Sequence, residues 1–154
     1  MKITYKGDYA LKALLALSIN YIEEGRDRIM PIQEIASTGD MPKKFLEQIF
    51  LALIKGGFVV SRRGVNGGFQ LARHPRDITV GEVIRFIEGP IEPLPCVAGS
   101  YKGCKDLASC IFRGVWKEVK DAISVVIDTL TFEELVLRYK SQKLGSGAAC
   151  DFVI

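Results

Sequence analysis

The pair Gly56-Gly57 most constrains the fold of this chain, because the spacing of apolar residues changes there from a helical period to an alternating one. The apolar residues with helical spacing before the pair are Phe45, Leu46, Ile49, Phe50, Leu53 and Ile54. After it, residues 58–61 and 69–72 are typical of two short strands, and Asn66-Gly67 between them suits the positive φ of a hairpin turn. The sequence therefore predicts a mainly α fold with a small β-hairpin.

Two helices are predicted before that point. Apolar residues from Tyr9 to Ile22 cover a first helix, and Asp8 suits its N-cap. A short second helix follows from Pro31, and we expect Gly39 to end it in the left-handed conformation, with Asp40 capping the third helix. Helix, short helix, glycine-containing turn, longer helix and hairpin is the order of a winged helix-turn-helix.

The third helix and the hairpin carry the residues expected to contact DNA. These candidates are Lys43, Lys44, Glu47, Gln48, Arg62 and Arg63. The two lysines suit phosphates, the Glu and Gln can bond base edges in the major groove, and the two arginines at the hairpin tip suit a minor groove. The alternative for each residue is an ordinary exposed polar side chain.

The distribution of charge supports the DNA hypothesis. The whole chain has a net charge of only +3, but residues 26–76 hold nine Lys and Arg against four Asp and Glu. A local basic surface attracts the phosphate backbone of double-stranded DNA. No run approaches the ~20 apolar residues of a membrane span, and the first residues do not form a signal peptide, so a cytoplasmic location is expected.

The second half of the chain predicts two capped helices and one long helix. Thr79 and Thr131 each have a Glu three residues later, as in a capping box. Between these two, the apolar pattern from Phe112 to Leu130 marks a helix of about five turns that needs a partner to cover it. We divide the chain into a DNA-binding domain (1–89), a cysteine-bearing loop (90–111), a dimerisation helix with a short last helix (112–140) and a flexible tail (141–154).

Three of the four cysteines, Cys96, Cys104 and Cys110, lie within fifteen positions, and Cys150 stands apart. Thiolates are soft ligands suited to iron–sulfur clusters. Structural zinc is less well matched, because its cysteines usually form pairs two to four residues apart. A thiol redox switch and three incidental cysteines are the other possibilities.

Four strings of residues resemble the Rrf2 family of winged helix-turn-helix transcriptional regulators, which includes the IscR and NsrR types. The strings are residues 8–14 (DYALKAL), residues 45–49 (FLEQI), Arg63-Gly64 with Gly67-Gly68-Phe69, and residues 78–84 (ITVGEVI). The resemblance runs from Met1 to about Tyr139. It implies a homodimer built on the long helix, and DNA contacts from Glu47, Gln48 and Arg63.

The resemblance also implies that the three clustered cysteines hold an iron–sulfur cluster, with 2Fe-2S favoured and 4Fe-4S as the alternative. Two departures from the family pattern matter: the gap between Cys96 and Cys104 is longer, and Arg113 stands where the IscR type has a histidine. Arg113 cannot ligate iron. Asp8 matches the NsrR-type position at which a carboxylate of the other subunit completes the site. Cys150 is the second candidate for the fourth ligand.

The function expected from the sequence is a repressor whose operator binding responds to iron–sulfur status, redox state or nitric oxide. The alternative is a cluster-free, thiol-based redox sensor of the same fold. A third possibility is a protein-binding winged helix without DNA contacts. No catalytic set is recognisable, so we predict neither an enzyme nor a small-molecule substrate. We assign no metal role to the single histidine, His74.

Overall fold

The computed structural model describes residues 3–145, which form six helices and one two-stranded antiparallel sheet. The elements are α1 (Tyr5–Glu24), α2 (Ile32–Thr38), α3 (Lys43–Lys55), β1 (Val59–Arg62), β2 (Gly68–Leu71), α4 (Val80–Glu88), α5 (Ile111–Thr129) and α6 (Phe132–Gly145), with short 3-10 turns at Pro75–Asp77 and Pro95–Val97. The predicted class, mainly α with a small hairpin wing, is confirmed. Among the described helices, none is long and apolar enough to cross a bilayer. Cys150 and most of the predicted tail lie outside the described residues.

Helix α1 lies at the centre of the fold, in contact with α2, α3, α4, α6 and β2. Its residues Ala10, Ala13 and Leu14 have no exposed surface. Small side chains let the neighbouring elements approach closely, and burial of apolar surface is the main force that stabilises such a core. The contacts of α1 therefore join the helix-turn-helix and the wing to α4 and α6.

The first helix begins one turn earlier than predicted. Thr4 is its N-cap, and the Thr4 side chain accepts a hydrogen bond from the backbone N–H of Lys6 at 3.2 Å. The predicted N-cap, Asp8, is wrong: its own backbone N–H donates to the carbonyl of Thr4 inside the helix. The Asp8 carboxylate still lies in the first turn, where the helix dipole favours negative charge.

The turn between α2 and α3 also differs from the prediction. Asp40 has a φ of 49°, whereas Gly39 has a φ of −131°, so Asp40 and not Gly39 is left-handed. Asp is one of the few residues that tolerate this conformation, because its short polar side chain can bond locally. Asp40 is also not the cap of α3, which begins after Pro42 without a side-chain cap.

The loop of the wing takes its positive φ from Gly64, at 116°, and not from Asn66-Gly67 as predicted. Gly67 is required for a different reason, since a Cβ there would lie 2.5 Å from the carbonyl oxygen of Arg62. Its backbone N–H donates to the carbonyl of Gly64 at 3.0 Å and closes the turn. The hairpin itself, with β1 and β2 in antiparallel pairing, is as predicted.

The threonine half of both predicted capping boxes is present in the second half of the fold, while the carboxylates of Glu82 and Glu134 bond to Arg73 and Arg138. Thr79 accepts from the backbone N–H of Glu82, and Thr131 from that of Glu134, each at 3.2 Å. Helix α6 continues past the predicted end at Lys140. Its residue Phe132 is fully buried in the core around α1, so α6 packs with the N-terminal half of the chain.

Helix α5 lies against α4 and has no buried residue. Its inner side packs Ile123 and Ile127 on the small cluster around Ile84. Arg85 of α4 ion-pairs with Asp128 near the end of α5. These contacts hold one side of α5 and leave its other side uncovered.

Candidate nucleic-acid interface and cysteine loop

Helix α3 separates an apolar side from a polar side. Its buried residues are Leu46, Ile49, Phe50 and Leu53. The four side chains predicted to contact DNA on this helix, Lys43, Lys44, Glu47 and Gln48, are all exposed. Residues three and four positions apart share one side of a helix, so these four lie together at its N-terminal end. Within the described part of the chain, none of the four side chains has a hydrogen bond or ion pair, which leaves their polar groups available.

Two aromatic contacts fix the position of α3. Near its start, Phe45 packs edge-on against Tyr9 of α1, with ring centroids 5.7 Å apart. In its middle, Phe50 stacks on Phe69 of β2, with centroids 3.9 Å apart and ring planes 15° from parallel. Aromatic pairs add to the stabilisation from buried area, so they set the orientation of α3 against both α1 and the wing.

The base of the wing is held by a backbone bridge. Met30, before α2, exchanges two backbone hydrogen bonds of 2.9 Å with Phe69. Gly68 allows this approach, because a Cβ there would lie 2.4 Å from the Met30 carbonyl oxygen. At the other end of the wing, Arg62 and Arg63 are exposed, as predicted for residues that reach DNA.

The three clustered cysteines occupy different settings in one loop. Cys96 lies in the 3-10 turn Pro95–Val97 and is half-buried, Cys104 is exposed, and Cys110 is the half-buried N-cap residue of α5. All three are free thiols. The loop contacts α5 through the 3-10 turn Pro95–Val97 and through an ion pair of 3.5 Å between Glu92 and Lys120.

Arg113, in the first turn of α5, reaches back into this loop. Its Nε donates to the backbone carbonyl of Cys96 at 2.9 Å, and its Nη1 donates to that of Leu107 at 3.5 Å. The Arg113 backbone N–H donates to the carbonyl of Cys110 at 3.2 Å. Arg113, which cannot itself ligate iron, thus bonds to the backbones of two of the cysteines.

Asp8 has a charged partner within its own helix. Its carboxylate forms an ion pair of 2.7 Å with Lys12, one helical turn later, and both side chains are about half exposed. The hydrogen bond from Lys12 to this carboxylate raises the pKa of the Lys12 ammonium. Asp8 borders an open recess with Ile3, Thr4 and Tyr5, so a second molecule can reach it.

The structure does not gather the predicted metal ligands within one chain. Among residues 3–145, no three His, Cys, Asp or Glu side chains are grouped so that they could hold a metal ion. The chemistry of the donors nevertheless fits an iron–sulfur cluster, because three free and accessible thiols lie in one loop. A complete site needs rearrangement of this loop and a fourth ligand from outside it.

The uncovered side of α5 carries a continuous apolar stripe. Phe112, Val115, Val119 and Val126 are 69%, 46%, 37% and 62% exposed. Their spacing of three, four and seven residues places them on one side of the helix, next to the side on which Ile123 and Ile127 pack on α4. A stripe of this kind is typical of a helix that pairs with another helix.

The family model for Rrf2, described as an iron-dependent transcriptional regulator, matches residues 3–138. The chain belongs to the Rrf2 family. Among Rrf2 relatives, it is 46% identical to an rrf2-like HTH-type regulator of Rhodobacter capsulatus over 87% of this chain and 91% of that protein. The relatives and the fold are those of transcriptional regulators that bind DNA, and not of enzymes.

Two solved Rrf2 structures have similar folds. CymR, the global cysteine regulator of B. subtilis, is 32% identical with a TM-score of 0.73, covering 90% of this chain and 98% of that one. T. potens IscR is also 32% identical, with a TM-score of 0.71, covering 90% of this chain and 88% of that one. The chain is thus similar in both sequence and fold to regulators with two different names.

Two residues that matter for this site were not found from the sequence. The sequence excludes Arg113 as an iron ligand and gives no sign of its bonds to the loop. Glu88 was not singled out, although its carboxylate bonds to the start of α1 close to Asp8. Neither has a local motif, because each acts on backbone groups that are distant in sequence or in an irregular loop.

Proposed function

We propose that this Rrf2 regulator is a homodimeric repressor that binds operator DNA through α3 and the wing, under the control of an iron–sulfur cluster on Cys96, Cys104 and Cys110. The observation that carries the cluster hypothesis is the presence of three free, accessible thiols in one loop directly before α5. Since bacterial operators lie in the cytoplasm, the expected cytoplasmic location goes with this proposal.

The proposed DNA contacts follow from the exposed polar side of α3. Lys43 and Lys44 neutralise phosphates, while Glu47 accepts from cytosine and Gln48 bonds adenine in the major groove. Arg62 and Arg63 of the wing enter the neighbouring minor groove. The support for these roles is that all six side chains are exposed and have no competing partners among the described residues.

The proposed partner on the apolar stripe of α5 is a second copy of this chain. A dimer places two α3 helices on half-sites about one turn of DNA, roughly 34 Å, apart. Because the cysteine loop ends at the first residue of α5, a change in the loop acts next to this interface. A coupling free energy of about 1–3 kcal/mol between the state of the cysteine loop and DNA binding changes operator affinity about 5- to 150-fold.

In the proposed site, Cys96, Cys104 and Cys110 supply three ligands, and Asp8 of the second copy supplies the fourth. The Asp8 ion pair with Lys12 is exposed, so its exchange for a metal ligand costs little. A bound cluster, of the 2Fe-2S type in our proposal, supplies an iron centre that responds to redox state, nitric oxide or iron supply. Cys150 is the second candidate for the fourth ligand.

A cluster-free thiol sensor is the second candidate function. It is favoured by the three free thiols that are not gathered into a metal site among residues 3–145, and by the similarity to CymR. In such a sensor, a peroxide oxidises two thiols of the loop to a disulfide and takes up their two electrons and two protons, and the new S–S bond changes the start of α5 without iron. Both functions use the same cysteines, and they differ in whether these cysteines bind iron or react with each other.

The two functions are separated by anaerobic purification followed by iron and acid-labile sulfide analysis, ultraviolet-visible and Mössbauer spectra, and operator binding. We expect iron and sulfide in the purified dimer and an operator affinity that changes when both are removed. Protein without iron or sulfide that still binds its operator in a thiol-dependent way contradicts the cluster and supports the thiol sensor.

The ligands are then tested one by one. Cys110→Ala is expected to lose the chromophore, while Ser100→Ala, an exposed position in the same loop, keeps it. Asp8→Ala and Cys150→Ala decide the fourth ligand, since only the true ligand alters the spectrum. A Cys110→Ala protein with the full chromophore contradicts the assignment of the three cysteines.

A further inference from the structure

Arg113 is the only described residue whose hydrogen bonds reach the backbones of both Cys96 and Cys110. The guanidinium bonds to the Cys96 carbonyl at 2.9 Å, and the backbone N–H bonds to the Cys110 carbonyl at 3.2 Å. A longer bond of 3.5 Å runs from the same guanidinium to Leu107. The two ends of the loop are therefore connected through one residue.

Among the described residues, the Arg113 guanidinium donates hydrogen bonds only to backbone carbonyls of this loop. The side chain is half-buried, and it has no carboxylate partner among residues 3–145. Hydrogen bonds from a charged donor are stronger than those between neutral groups, and the planar guanidinium can bond two carbonyls with one fixed geometry. A lysine ammonium has three donors but no planar fork, so we expect it to reproduce this geometry only in part.

We infer that Arg113 is a positioning residue, which holds Cys96 beside the start of α5 and so presents Cys96 and Cys110 as a preformed pair. We call the bonds from its guanidinium to Cys96 and Leu107 the Arg113 clasp. The clasp contributes no donor atom to iron. It reduces the number of loop conformations that the two thiols sample before they bind a common centre.

The clasp also explains a difference between the cysteines. Cys96 and Cys110 are half-buried and bonded through Arg113, whereas Cys104 is exposed and its backbone has no such bond among the described residues. We therefore expect Cys104 to be the ligand that the loop brings in after the other two. This order of binding follows from the contacts of the chain alone, so we expect it for any metal centre that the thiols bind.

The first test uses the metal-free dimer and hydrogen exchange of residues 94–110. Loss of a hydrogen bond that involves a charged group raises the equilibrium constant for local opening about tenfold or more. Arg113→Ala is expected to speed exchange at Val97, Ala98 and Ser109 about tenfold, and Arg113→Lys by less. Lys117→Ala, which removes an exposed positive charge one turn later on α5, is the matched control and is expected to leave exchange unchanged.

The second test measures iron and sulfide uptake during anaerobic reconstitution, and it rests on the proposed function. Faster exchange together with slower uptake in Arg113→Ala supports the inference. Unchanged exchange overturns the clasp, and faster exchange with unaltered uptake overturns its role in positioning. If the wild-type protein takes up no iron, the proposed cluster has failed, while the exchange experiment alone still decides the clasp.

Discussion

The carboxylate of Glu88, the last residue of α4, accepts two hydrogen bonds from Thr4, the N-cap residue of α1. The Thr4 backbone N–H donates at 3.1 Å and its hydroxyl at 2.6 Å, and the backbone N–H of Gly7 donates to the same oxygen at 3.0 Å. Free N–H groups at a helix N-terminus favour a negative charge. Glu88 therefore caps a helix that begins 84 positions earlier in the chain.

Replacement of Glu88 is expected to destabilise the fold. Glu88→Ala removes the acceptor of all three bonds, and hydrogen bonds to a charged group contribute about 1.5–3 kcal/mol. Because this cap is partly exposed, we expect the free energy of unfolding in urea to fall by about 1–2 kcal/mol. Asp27→Ala, at an exposed acidic residue without a partner among the described residues, is the control. Equal stabilities of the two variants would show that the cap contributes nothing.

A methyl group at Gly7 is expected to break the same cap. The Cβ of Gly7→Ala would lie 2.5 Å from the Glu88 Oε1, so the carboxylate must leave its three donors. We expect a loss of stability similar to that of Glu88→Ala, and a much smaller loss when Gly7→Ala is added to Glu88→Ala. Urea unfolding of the two single variants and the double variant measures this coupling. Additive losses would mean that Gly7 is needed for another reason.

Two residues of α3 are expected to affect DNA binding in different ways. Gln48→Ala is expected to cost about 1–3 kcal/mol on the selected operator and to relax the preference at one base pair. Lys43→Ala is expected to weaken binding to all sequences. It is also expected to reduce by about one the slope of the logarithm of the binding constant against the logarithm of the salt concentration. Fluorescence anisotropy at several salt concentrations measures both effects, with Lys55→Ala at the far end of α3 as the control. A base preference that depends on Lys43 and not on Gln48 would reverse these roles.

A charge on the apolar stripe of α5 is expected to separate the dimer. Val126 is 62% exposed in the single chain, and Val126→Asp would place an unpaired carboxylate inside the proposed interface. We expect sedimentation to show one chain per particle and a large loss of operator affinity. The control is Asp121→Lys, at an exposed position on the polar edge of the same helix. A Val126→Asp dimer would place the second copy on another surface.

Elements that depend on neighbouring residues were predicted well. The six helices, the hairpin and the threonine N-caps at Thr79 and Thr131 follow from apolar spacing and from residue types three or four positions apart. The exposed polar side of α3 follows from the same spacing. Predictions about single backbone conformations were less successful, because the left-handed residue proved to be Asp40 instead of Gly39, and Gly64 instead of Asn66-Gly67.

The candidate metal site was predicted only in part. The positions of Cys96, Cys104 and Cys110 in one irregular loop follow from the lack of helical spacing there. The bonds of Arg113 to that loop, and the absence of a group of three ligating side chains among residues 3–145, do not. Side-chain contacts across an irregular loop depend on its folded path, for which the sequence has no periodic signal.

The amino-acid sequence alone establishes where helices and strands form and which of their sides are apolar, because these properties depend on contacts within about one helical turn or one strand pair. The folded structure adds that Glu88 caps α1, that Phe69 of the wing stacks on Phe50 of α3, and that Arg113 bonds to the cysteine loop. The first two contacts join segments that meet when the chain packs around α1, and the third depends on the path of an irregular loop, so no spacing of residue types in the sequence reveals them.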